Sequence, residues 1–186
     1  MRQGMDRRRF LESSGQAAAG VMVMASSGVT LMIAADGAWG MALKTLNGHD
    51  GQVLLGTLRT MYPHDALSDR YYAQVVEALD QDASADAAAA ELLKTGVGDL
   101  DRAMSVPWLD LSEGHREQVL RSIETTPFFQ TLRGKTVTTL YNNERVWQAF
   151  GYEGPSFEAG GYLDRGFDDL AWLPEPPEEA SPPMEL

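Results

Sequence analysis

The chain has 186 residues, 44% of them apolar, which suffices for one domain with a real core and argues against disorder of the whole. Its formal net charge is −12, and beyond residue 42 the balance is 11 basic against 24 acidic groups, or −13. So acidic a body disfavours nucleic acid, whose affinity comes largely from Lys and Arg neutralising phosphates. The absence of cysteine excludes disulfides, thioether-attached haem, thiolate-bound iron–sulfur clusters and a cysteine nucleophile.

The first element, residues 1–42, has the anatomy of an export signal. Arg7, Arg8 and Arg9 precede Phe10 and Leu11, and 23 uncharged residues follow from Ser13 to Ala35. That length could span a bilayer. Four serines, three glycines, a threonine and a glutamine dilute it, however, so it reads as a weakly apolar signal segment. Arg7-Arg8-x-Phe10-Leu11 resembles the twin-arginine signal, with Glu12 where lysine is usual. That route carries proteins already folded. Ala35-Asp36-Gly37 and Gly40-Met41-Ala42 both offer small residues for processing, and retention of the segment as an anchor stays open.

Downstream of about residue 48 the pattern is helical, and residues 43–150 are predicted to form a small all-α domain. Asp50 is a candidate N-cap for a helix carrying Val53, Leu54, Leu58 and Met61, stopped by Pro63. Ser68 and Asp69 open a second helix with Tyr72, Val75, Val76 and Leu79 in one stripe. The alanine-rich stretch 84–95 makes a third, ended by Gly96, with a shorter helix after Asp99. Ser112 caps a segment that points Val119, Leu120 and Ile123 inward, and Thr126 with Pro127 starts the next. In that one Phe129, Leu132, Thr136 and Leu140 keep the helical period, although "KTVTTLY" could also be a strand. "ERVWQAF" adds a last turn or two before Gly151, and no alternating strand stands out anywhere.

Residues 151–186 form an irregular, aromatic- and Pro-rich extension. Tyr152, Phe157, Tyr162, Phe167 and Trp172 recur every five residues, a spacing that suits neither a helix face nor a strand face. Gly160-Gly161 suits a reversal at positive φ. The aromatics either cover the domain's own core or lie against another protein.

Catalytic equipment is sparse. His49, His64 and His115 fall in different segments, without the spacing of a metal-binding helix face. His64 beside Asp65 is the one arrangement that could serve as a base, in a free-standing enzyme. Ser156 lacks the elbow of a serine hydrolase, and the nearby glycines do not match a dinucleotide-binding loop. No catalytic, cofactor-binding or metal-binding residue is assigned on this chain. A scaffold held at the membrane by an uncleaved N-terminus is a further reading.

The series "LRTMYPHD", "TPFFQTLRGKTVTTLYNNERVWQAFGYEGPS" and "GGY", with the twin-arginine start, resembles the gluconate 2-dehydrogenase subunit 3 family. It is nearest in character to the small subunits of glucoside 3-dehydrogenase complexes, and the similarity runs from about residue 50 to residue 173. The resemblance implies a non-catalytic partner of a larger GMC-type flavoprotein that binds FAD and oxidises a sugar. It also implies a c-type cytochrome carrying haem c as electron acceptor. The small subunit would escort its partner through the twin-arginine translocase into the periplasm. The family supplies no catalytic residue to carry over, and Tyr152, Phe157, Tyr162, Phe167 and Trp172 become the expected partner interface.

Overall fold

The structure, a computed structural model, describes residues 21–26, 28–34 and 40–161. Arg7, Arg8, Phe10 and Leu11 lie outside these, as do Tyr162, Phe167 and Trp172. The described residues are mostly helical, as the sequence predicts. The helices are α1 (Gly48–Met61), α2 (Asp69–Ala85), α3 (Ala87–Arg102), α4 (Glu113–Ser122), α5 (Pro127–Thr139) and α6 (Glu144–Phe150). The segment that could have been a strand is helical through Thr139.

Helix α2 is the centre. It packs against α1, α3 and α5, and its buried face is Tyr72, Ala73, Val75, Val76, Leu79, Asp80 and Ala83. The predicted stripe is therefore right, with one carboxylate added. Phe128, Leu132, Thr136 and Leu140 of α5 and its end, and Val119 and Leu120 of α4, close the core over it.

Two helix boundaries differ from expectation. Asp50 is not the N-cap of α1 but its N3 residue. Asn47 caps, its Oδ1 accepting from Asp50 N at 3.0 Å, while Asn47 N donates to Asp50 Oδ2 at 3.0 Å. This reciprocal box satisfies two helix-end groups. Gly96, expected to end a helix, is buried in the middle of α3, which begins at an Asp86 cap and runs on to Arg102. A Cβ at Gly96 would overlap the Phe128 ring. The glycine therefore marks a close crossing of α5 over α3, and the helix tolerates its low propensity for the sake of that contact.

Three strands precede the helices where the sequence predicts none. β1 (Val21–Ser26), β2 (Val29–Ala34) and β3 (Gly40–Leu43) form an antiparallel sheet in that order. The domain boundary expected after residue 42 thus falls inside β3. Gly28, at φ +79°, sits in the two-residue connection between β1 and β2, where hairpin turns need a positive φ. Met32 and Met41, paired across β2 and β3, are buried together with Leu43. Met24 and Leu31, paired on the opposite face, remain more than a third exposed. Both faces are apolar, so the sequence shows no alternation from which strands could be read.

The sheet is tied to α2 by two carboxylates. Asp80 Oδ2 accepts from Lys44 N at 2.7 Å, and Oδ1 accepts from Thr45 N at 2.9 Å and Leu46 N at 2.8 Å. Glu77 Oε1 accepts from Ala42 N at 3.0 Å. Asp80 is 2% exposed, so its charge is held by three backbone donors in place of water.

Replacing Asp80 with alanine leaves three backbone donors short of their acceptor and should cost about 3 kcal/mol in urea unfolding. Glu77→Ala, at the exposed edge, should cost no more than about 1 kcal/mol. Two glycine substitutions should move stability in opposite directions. Gly96→Ala overpacks the Phe128 contact and should destabilise by about 1–3 kcal/mol. Gly134→Ala, in open space on α5, should stabilise by about 0.5–1 kcal/mol.

Candidate interaction site

The loop between α1 and α2 is built around Arg59. Its Nη1 donates to the carbonyls of His64 (3.1 Å) and Leu67 (2.9 Å), and its Nε lies 3.1 Å from Asp69 Oδ1. The guanidinium also stands over the Tyr72 ring, 4.9 Å from its centre. Tyr72 Oη donates to Tyr62 O at 2.5 Å. With one buried phenol and one cation engaged, the loop holds Tyr62 and His64 in fixed positions against the end of α5.

There the rings gather. His64 Nε2 is 2.5 Å from Tyr141 Oη. Tyr141 meets Tyr62 edge-on at 5.8 Å, and Phe150 meets His64 at 4.9 Å. Trp147 of α6 donates its Nε1 proton to Tyr141 O at 2.6 Å and carries the Tyr152 ring edge-on at 5.4 Å. Gly151, at φ +72°, ends α6 and turns the chain so that Tyr152 N reaches Trp147 O at 2.9 Å. The result is one aromatic corner drawn from three separated stretches.

The outer part of this corner is open. Phe150 is 46% exposed and Tyr152 50%; further along the chain, Phe157 is 90% exposed. The last belongs to a single 3₁₀ turn, Phe157–Ala159, closed by Gly160 and Gly161 at φ +88° and +82°. Of the five expected interface residues, Tyr152 and Phe157 are thus on the surface, and the other three lie outside the described residues. Phe150, half-exposed in the same corner, lies outside that five-residue series. Adjoining the corner at Tyr62 is a groove of about 460 Å³ with Met61, Leu120 and Phe129 among its apolar walls and Arg121 and Arg133 among its charged ones.

Burial pushes the Tyr141 phenol above its ordinary value, with the neighbouring Tyr62 and Tyr72 adding to the shift. Burial also raises Tyr62, partly opposed by the charge of Arg133. Both phenols are therefore neutral at physiological pH. His64 is engaged by Tyr141; no hydrogen bond joins it to Asp65, which is exposed. The other histidines are apart. His49 Nε2 lies 2.6 Å from Asp101 Oδ2 between α1 and α3, and His115 Nδ1 lies 2.8 Å from Ser112 Oγ on an exposed turn.

Among the described residues no group of three or more His, Asp or Glu is placed to hold a metal ion, and no helix is long and apolar enough to cross a membrane. Comparison with family models, with curated proteins and with solved structures finds no match.

The raised phenols have a consequence at alkaline pH. Neutral Tyr62 and Tyr141 are favoured by the fold, so their stabilisation is complete below the unfolded tyrosine value near about 10 and is lost as pH rises through the higher folded values. Thermal midpoints measured from pH 8 to 11.5 should fall above pH 10, and the double variant Tyr62→Phe, Tyr141→Phe should flatten that fall. At pH 7 Tyr141→Phe, which loses the His64 bond, should cost about 0.5–1.5 kcal/mol.

Proposed function

We propose that this chain is the non-catalytic small subunit of a periplasmic FAD-dependent sugar dehydrogenase complex of the gluconate 2-dehydrogenase subunit 3 kind. In this reading it escorts a GMC-type flavoprotein through twin-arginine export and stabilises it afterwards. FAD belongs to the larger partner, haem c to a cytochrome that receives the electrons, and the present chain contributes surface. The glucoside 3-dehydrogenase character of the sequence motifs points to a glycoside or sugar as the complex's substrate.

The observation that carries this reading is the exposed aromatic corner. Phe150 and Tyr152 offer large rings to solvent there, and Phe157 adds a third, five residues beyond Tyr152. Covering them would contribute roughly 1.5–3 kcal/mol each before the cost of ordering. The corner is preorganised on its inner side by Trp147, Tyr141 and His64, which limits that cost. The adjoining groove at Tyr62 has the apolar floor and charged rim of a docking surface. The motifs behind the resemblance supply many of these residues, since "MYPH" contains Tyr62 and His64 and "LYNNERVWQAFGYEGPS" contains Tyr141, Trp147, Phe150 and Tyr152.

Co-expression of the chain with a GMC-type FAD-binding protein encoded beside it, sought in the neighbouring reading frames, tests the proposal. Replacing Arg7 and Arg8 with lysine should leave both proteins in the cytoplasm; a flavoprotein that still reaches the periplasm would defeat the escort role. The double variant Tyr152→Ala, Phe157→Ala should weaken the purified complex by at least about 2 kcal/mol, some thirtyfold in Kd. The melting of the small subunit alone should be unchanged. An undiminished affinity would remove the corner from the interface.

A further inference from the structure

We infer that the β1–β3 sheet is a permanent part of the folded domain, so that the second half of the uncharged stretch stays attached and no processing occurs at either small-residue site between residues 35 and 42. The inference stands apart from the flavoprotein reading, because it concerns how the chain packs on itself.

Three observations converge on it. Met32 and Met41 are 0% and 1% exposed, and Leu43 beside them is 0% exposed. They fill the core like any other members. Helix α1 is also shaped to receive the sheet. It places glycines at Gly48 and Gly51, both buried, although glycine is the poorest helix former after proline. A Cβ on Gly51 would lie 2.6 Å from Met32 Sδ and 2.7 Å from Leu43 Cδ1, and a Cβ on Gly48 would overlap Val23. The two glycines are the seat of the sheet. Finally, β3 runs without a break into the turn at residues 44–46 that Asp80 clamps, and Glu77 reaches further back to Ala42 N.

Either cut would undo this arrangement. Processing after Gly37 would remove β1 and β2, leaving Met41, Leu43 and the glycine seat uncovered. Processing after Ala42 would also remove Met41 and the N–H bound by Glu77. The stretch that reads as the uncharged part of a signal therefore has a second use. Val21–Ser26 and Val29–Ala34 are strands in the folded protein, and the part of an export signal that could be discarded ends before Val21.

The test uses full-length chain and the sign of a change in melting temperature. With the sheet seated, Gly48→Ala and Gly51→Ala both lower the melting temperature, while Gly134→Ala raises it and serves as control. Without the sheet, alanine at Gly48 improves an ordinary helix and raises the melting temperature as at Gly134. Gly48 is the sharper probe, because the nearest atoms to its missing Cβ all belong to Val23. A rise for Gly48→Ala overturns the inference. Intact-mass measurement of the chain recovered from the periplasm is the second arm. A first residue at or before Val21 supports the inference, and one anywhere from 22 to 43 overturns it. A chain that never leaves the cytoplasm would defeat the export reading alone, and the melting signs would still decide this one.

Discussion

The structure depends on Asp80. A carboxylate 2% exposed in the middle of an apolar helix face is costly to bury, and it persists because three consecutive backbone N–H groups point at it. Those donors belong to the turn between β3 and α1, where neither strand nor helix supplies acceptors. One side chain thus solves two problems, the charge on α2 and the unpaired backbone beside it. It also fixes where α1 begins. Immediately after the clamped turn, Asn47 and Asp50 close their capping box, so the direction of α1 follows from the place where Asp80 holds the chain.

Helix α2 extends that constraint toward the other end of the molecule. Tyr72 lies eight residues before Asp80, about 12 Å along the helix axis. Its hydroxyl holds the α1–α2 loop by the carbonyl of Tyr62, and its ring carries Arg59. Gln74 Oε1 accepts from Asn143 Nδ2 at 3.2 Å, which ties the cap of α6 to the same helix. The exposed aromatic corner therefore rests on a rigid element through several bonds, and its inner rings are not free to collapse over the outer ones.

Most of the helical body was legible because amphipathic helices announce themselves through period. The stripe Tyr72, Val75, Val76 and Leu79, the Thr126–Pro127 start and the Gly151 stop all stand where the residues place them. What was hidden depended on contacts distant in sequence. Gly96 looks like a terminator until Phe128, 32 residues later, is seen to occupy its missing side chain. Asp50 looks like a cap until Asn47 is seen to fill that position. The sheet was hidden for a different reason. Strands apolar on both faces have no alternation, and an uncharged run behind three arginines already has a sufficient explanation as a signal. In the candidate site, Tyr152 and Phe157 could be found by their odd spacing. Phe150 and Tyr141 could not, because only folding brings "YPH" against "LYNN".

The two ends of α2 differ in how they treat apolar surface. At the sheet end, glycines withdraw from α1 so that methionines and leucine can enter, and carboxylates reach out to hold the backbone. At the loop end, phenols and an imidazole bond to one another and leave Phe150 and Tyr152 half-exposed, while Phe157 further along the chain is nearly fully exposed. A domain able to bury Trp108 and Tyr72 completely does not lack the means to bury three more rings. The chain turns at positive φ at Gly151, directly after Phe150, and again at Gly160 and Gly161, just after Phe157. Sites this far apart along one helix contribute to stability almost independently. The corner can therefore lose its rings without loosening the sheet, and the sheet can be perturbed without closing the corner.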